Sequence, residues 1–256
     1  MTYPPIPPVS RRDAPLFATP EHRGLGASAF TSGGGRYHDV RPGYPAQVLD
    51  LIPAGSRVLD VGAGTGKLTG QMHARGHDVC ALDPSPDMLK VLRVAVPKVP
   101  CWRATAEATA VRGGVFDLIT CAQTWHWVDV VGASSEFARV APTVLLVWNN
   151  LDTRDPWVHR LSRIMHAGDV LKPGFLPHIG APWAVSSTLR CDWSQTMTTQ
   201  QIIELAHTRS YWLRAGETVR TRVDANLDWY LHEHLGFAPG EQIALPYRCD
   251  AFLLRR

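Results

Sequence analysis

Val58-Leu59-Asp60-Val61-Gly62-Ala63-Gly64-Thr65-Gly66-Lys67-Leu68-Thr69 joins a short apolar run to three glycines at alternate positions and then to the start of an amphipathic stretch. Residues 57–61 read as a buried strand, and Leu68, Met72 and Ala74 suit the core face of a helix from Lys67 to Arg75. The result is a strand, a tight turn and a helix. Glycines in that turn let a ligand approach the backbone closely, and the helix that follows offers N–H groups without intrahelical partners.

The same alternation continues outward. Upstream, a helix from Pro45 to Leu51 begins with proline in its first turn and is broken by Pro53-Ala54-Gly55-Ser56. Downstream, Gly76 stops the Lys67 helix. Residues 78–83 then read as a strand, 84–94 as a helix, 99–103 and 116–121 as strands, 132–140 as a helix and 143–148 as a fifth strand. Strands alternating with helices predict an α/β fold, a Rossmann-like, doubly wound, mostly parallel sheet covered on both faces. Right-handed crossovers bring every strand's C-terminal end to one edge, where ligands of such sheets bind. Gly62, Asp83, Glu107 and Gln123 all follow strands and therefore meet at that edge.

After Asn150 the pattern becomes helical, with segments at 156–166 and 200–214 rich in Trp, Tyr and His. Residues 242–254 alternate as a final strand, expected at the sheet edge and antiparallel. The chain divides accordingly into a flexible N-terminal arm (1–35, rich in Pro, Gly and Ser), a Rossmann-like domain (36–150), a helical insertion (151–240) and a returning C-terminal strand (241–256).

Composition narrows the function classes. The chain has 256 residues, 45% hydrophobic and 19% charged, enough to bury a sizeable core. Its formal charge of +3 is mild, and Lys and Arg are scattered, so nucleic acid is not implied as a partner. Five cysteines form no metal-spaced or redox pair, which fits reduced thiols in a cytoplasmic protein and no metal site. No apolar run is long enough for a membrane span, and the N-terminus lacks a secretory core.

Spacing also tests the competing nucleotide motifs. A dinucleotide fingerprint starting at Gly62 needs a sixth-position glycine, where Lys67 stands; a phosphate loop needs a glycine where Val61 stands and a hydroxyl where Leu68 stands. Asp60 just before the turn would repel a phosphate and favour a cationic ligand. Asp83 ends its strand about 20 residues after Gly62, where an acidic side chain can accept hydrogen bonds from both hydroxyls of an adenosine ribose. It also suits the N-cap of a helix starting at Pro84.

These motifs together resemble the class I methyltransferase family, and within it the type 11 small-molecule branch. VLDVGAGTGKLT, with Gly62, Gly64 and Gly66, is similar to the family's first motif. ALDPSPDML is similar to its second, and the resemblance assigns Asp83 to the donor ribose and Met88 to the adenine. Ala106 and Glu107 resemble the third, whose backbone reads the adenine edge. FDLITCAQTWHWVD resembles the fourth, placing Gln123 under the methionine moiety. Tyr37 with Arg41-Pro42-Gly43-Tyr44-Pro45 resembles the segment that closes over the donor. The resemblance is strong over 36–160; its one departure is Arg139-Val140-Ala141-Pro142-Thr143, shorter than the family's usual turn before the fifth strand.

The resemblance implies S-adenosylmethionine as cofactor, bound by residues 36–150, and methyl transfer to a small organic acceptor by in-line displacement, with residues 151–240 capping the acceptor site. His126 is positioned to accept an acceptor's proton or to hold its own loop. Trp125, Trp127, Trp157, Trp183, Tyr211 and Trp212 are acceptor-wall or core residues, and Tyr44 joins Tyr37 as a lid residue. Two other readings stand beside this one: a donor-binding protein without turnover, and a nicotinamide-dependent oxidoreductase on the same architecture. Monomer and homodimer are both open.

Overall fold

The structure, a computed structural model, describes residues 38–167 and 171–256. Two compact units are present. Among the described residues, the first comprises 38–149, 178–191 and 249–256, and the second 150–167, 171–177 and 192–248.

The first unit opens with a short helix, α1 (Ala46–Leu49), then β1 (Arg57–Val61), α2 (Lys67–Ala74), β2 (Asp78–Asp83), α3 (Pro86–Ala95), β3 (Cys101–Arg103), β4 (Leu118–Ala122), a 3-10 turn (Trp125–Trp127), α4 (Val130–Val140) and β5 (Thr143–Leu151). All four registered pairings among these strands are parallel: β1 with β2 from Arg57 opposite Asp78, β1 with β4 from Val58 opposite Leu118, β2 with β3, and β4 with β5. The chain winds outward from β1 through β2 to β3, then returns to β4 on the other side. The gap between β1 and β4 is the point where strand order reverses.

Burial on both faces explains the continuous apolar runs. Val58, Leu59, Ile119, Leu145 and Leu146 are all buried, as are Met72 of α2, Leu92 of α3 and Phe137 of α4. Helix starts follow local chemistry. Ser85 caps α3 through Met88 N–H with Pro86 in the first turn, and Asp129 caps α4 through Gly132 N–H. Asp83 is therefore not the cap, and the helix starts at Pro86 rather than Pro84: Ser85 is nearer, and Asp83 instead accepts from Ser85 N–H.

The second unit contains α5 (Pro156–Ile164), α6 (Thr199–His207), α7 (Ser210–Arg214), α8 (Glu217–Asp228) and a π-helical turn (Trp229–His234). The helix expected over 200–214 breaks at Thr208, whose hydroxyl donates to Leu205 O at 2.7 Å and competes with continuation of the ladder. Tyr230 is buried, and its hydroxyl donates to Trp157 O at 3.0 Å.

Two further strands complete a seven-stranded sheet in the order β3-β2-β1-β4-β5-β7-β6, where β6 is Ala184–Thr198 and β7 is Gln242–Arg255. The C-terminal strand joins the sheet as expected but between β5 and β6, so it is not the edge. The edge is β6, inside a stretch expected to be helical only. Its residues 184–188 are exposed, and from Leu189 to Met197 half-buried or buried positions alternate with exposed ones, as befits a strand with one free side. No helix among the described residues is long and apolar enough to cross a membrane.

The turn after β1 is fixed sterically. Gly62 has φ +68°, and a Cβ there would stand 2.2 Å from Thr124 Cγ2; Gly64 has φ +56° with open space around it. Gly62→Ala is expected to lower unfolding stability in urea by about 2–3 kcal/mol, clash adding to strain, and Gly64→Ala by about 1 kcal/mol, from strain alone.

Candidate methyl-donor site

Three strand ends converge at this edge. Gly62 and Ala63 N–H both donate to Leu82 O, at 2.9 and 3.0 Å, folding the glycine turn against the end of β2. Asp83 then links the turns. One carboxylate oxygen accepts from Gly64 N–H at 2.9 Å and the other from Ser85 N–H at 2.8 Å. Burial raises the Asp83 pKa, and these two bonds oppose the rise. Each oxygen keeps a further lone pair with which to accept from a ligand.

Met88 sits buried in the first turn of α3. Ala106 is buried beside a small bridge between Thr105 and Ala108. Glu107 is exposed and accepts from Asp129 N–H at 2.7 Å, which ties the loop after β3 to the start of α4. Gln123 follows β4 in the left-handed region, φ +54°, sparsely populated by residues other than glycine. Its N–H donates to Val147 O at 2.8 Å, and its side-chain amide to Asn149 O at 2.6 Å. Strained backbone of this kind collects at functional sites.

Asp60 stands elsewhere than its sequence position suggests. It is 1% exposed, and its two oxygens accept from the hydroxyls of Thr69, at 2.6 Å, and Thr120, at 2.8 Å. Burial pushes its carboxyl up to about 6. It braces the turn by joining β1 to α2 and β4. Thr69, Thr120 and Thr124, which sequence spacing does not single out, form this support; the Thr124 hydroxyl lies 3.0 Å from Gly62 O.

The segment before α1 lies along the same turn. His38 is half-buried, and burial with the Lys67 charge lowers its pKa, with the Thr65 backbone and Asp39 opposing. Burial also lowers that of Lys67, against the pull of Asp39. Arg41 is half-buried in this segment; Tyr37 lies outside the described residues.

His126 is half-buried in the 3-10 turn, its ring 4.9 Å from that of Trp127. Trp125 is core: its indole donates to His178 O at 2.8 Å and its ring lies 5.7 Å from Phe137. In the second unit, Tyr211 stacks on His166 at 3.8 Å, and Trp212 stacks on His207 at 4.3 Å with Arg220 over it at 4.4 Å. Trp183 belongs to the first unit and donates to Ser134 O. Protein partners thus account for most aromatics offered as acceptor walls.

Comparison with known proteins agrees with this geometry. Uncharacterised methyltransferases from Mycobacterium tuberculosis and Mycobacterium bovis are 39% identical over 226 residues, covering 86% of this chain and 92% of theirs. The chain belongs to the methyltransferase family. An uncharacterised methyltransferase-like protein of Schizosaccharomyces pombe is 32% identical over 232 residues, 84% of this chain and 91% of that one. The family profile described as a methyltransferase domain matches residues 59–143, from within β1 to the start of β5. A solved structure assigned as a type II methyltransferase from Anaeromyxobacter dehalogenans superposes with a TM-score of 0.58 at 22% identity, over 84% of this chain and 96% of that one, and shares the class I fold.

Asp60 gives this methyltransferase a pH signature. Its folded pKa, about 6, exceeds the ordinary 3.8, so the native state binds the proton more tightly than the unfolded chain. Stability is therefore greatest below about pH 4 as far as this group is concerned, and about 3 kcal/mol is lost as pH rises through 6. Asp60→Asn is expected to match or exceed the wild-type urea midpoint at pH 7 and to lose that advantage by pH 4, in paired denaturation curves at the two pH values.

Proposed function

We propose that this methyltransferase moves the methyl group of S-adenosylmethionine to a small organic acceptor. The observation that carries the reading is the Asp83 carboxylate, fixed by Gly64 and Ser85 N–H groups with acceptor capacity remaining. Open space around Gly64, where even a Cβ would touch nothing within 4 Å, supports close ligand approach beside it.

In this reading Asp83 holds the ribose hydroxyls, and Met88 with the backbone of Thr105, Ala106 and Glu107 borders the adenine. Gly64 leaves its backbone open to the ligand, while Gly62 and Gly66 shape the turn by packing closely against Thr124 and Leu92. Gln123 underlies the methionine moiety, with Arg41 and Tyr37 closing over it. Asp60 acts from beneath, keeping the turn in shape. The donor, when bound, supplies an already activated sulfonium methyl, so the protein's contribution is alignment and exclusion of water; alignment is worth on the order of 7–11 kcal/mol in favourable cases. His126 takes the acceptor's proton where the acceptor has one to lose. Free cysteines at all five positions support a reducing, cytoplasmic setting.

Isothermal titration with S-adenosylmethionine and with S-adenosylhomocysteine tests the reading. Wild type is expected to bind both, and Asp83→Ala about tenfold or more weakly, the scale of lost hydrogen bonds to a charged group. Absence of binding by folded wild type, or equal affinity in Asp83→Ala, contradicts it.

A further inference from the structure

Residues 41–45 have no regular secondary structure, so their backbone polar groups need partners from elsewhere. Two side chains supply them. The Gln71 amide grips Tyr44 like a neighbouring strand: its Oε1 accepts from Tyr44 N–H at 2.9 Å, and its Nε2 donates to Tyr44 O at 2.8 Å. Asn149, at the far end of the edge, donates from Nδ2 to Gly43 O at 2.8 Å. A Cβ at Gly43 would stand 3.3 Å from Gln71 Oε1, so glycine preserves the close approach.

Both grips are anchored in the donor site. Gln71 lies on α2, the helix that Gly66 caps, so the end of the glycine turn and the Tyr44 grip share one rigid element. The backbone carbonyl of Asn149 accepts from Gln123 Nε2 at 2.6 Å, so one residue fixes both the strained glutamine and the segment at Gly43. The segment is thus laid across the turn before any ligand arrives, and a preordered segment spares binding the cost of ordering it.

We propose that Gln71 and Asn149 are positioning residues for the methyl donor, holding residues 41–45 closed beside the glycine turn and Gln123. The proposal rests on the donor-site reading above. A clamp on a bound ligand slows its escape more than its arrival.

Stopped-flow binding of S-adenosylhomocysteine to wild type, Gln71→Met, Asn149→Leu and the double variant tests it. Each substitution keeps side-chain size and removes the hydrogen bonds to the segment; the Asn149 carbonyl stays. The double variant is expected to release the ligand about tenfold faster, the scale of a few lost hydrogen bonds, with an unchanged association rate. Gln71→Glu, which keeps the acceptor for Tyr44 N–H, is expected to fall between Gln71→Met and wild type. A purely structural role predicts the opposite pattern, a lower melting temperature of the ligand-free protein with wild-type release, and that pattern overturns the proposal.

Amide exchange in the wild type reads the same question without a variant. Added S-adenosylhomocysteine is expected to slow exchange at Tyr44 together with Gly64. Protection at Gly64 without Tyr44 overturns the clamp alone; protection at neither overturns the donor site, and the clamp with it.

Discussion

A single carboxylate at the end of β2 joins two turns that sequence separates. Asp83 accepts from Gly64 N–H in the turn after β1 and from Ser85 N–H at the start of α3. Both bonds satisfy backbone groups that a strand end would otherwise leave open. Much of the edge is organised around this link. The glycine turn is folded against Leu82 O, α3 is capped by the same Ser85 that makes the contact, and the spacing between the two turns follows from the parallel register of β1 with β2.

Beneath that link lies a second carboxylate with a different task. Asp60 is sealed from solvent and satisfied by two threonine hydroxyls, and its raised pKa expresses what that burial costs its charged form. The first unit thus spends stability to keep polar groups under its glycine turn. Gln123, held at φ +54° by two hydrogen bonds, is a further concession. Asp60, Asp83 and Gln123 bring desolvated and strained groups together at this sheet edge, a combination that favours a functional site.

Much of this was legible in the residues. Parallel strands buried on both faces leave continuous apolar runs, so β1, β2 and the early part of β5 follow from Val58, Ala81 and Leu145 and their neighbours. Glycines that need positive φ mark the turn, and Asp83 marks the end of β2. What escaped has physical causes. The edge strand β6 opens with five exposed residues, 184–188, and alternates mostly apolar with polar positions only from Leu189 to Met197, so its strand period is short and only partly buried. Asp60 reads as a ligand-facing charge, because spacing shows that it precedes the turn but not that Thr69 and Thr120 enclose it. Gln71 and Asn149 bond to backbone atoms of residues far away in the chain, and a contact with backbone leaves no trace in residue type. The lesson is general: side chains that bind a ligand recur in motifs, whereas those that hold the backbone in place do not.

Family membership and fold leave the acceptor open, since one architecture serves many acceptors. Methyl transfer as proposed requires that the edge formed by Gly62, Gly64, Asp83 and Gln123 receive the methyl donor. A crystal structure with S-adenosylhomocysteine tests it most directly. The account predicts ribose hydroxyls within about 2.5–3.0 Å of the Asp83 carboxylate, with the methionine portion beside Gln123. A ligand seated elsewhere, or a ribose held by other groups while Asp83 keeps only Gly64 and Ser85, would contradict it.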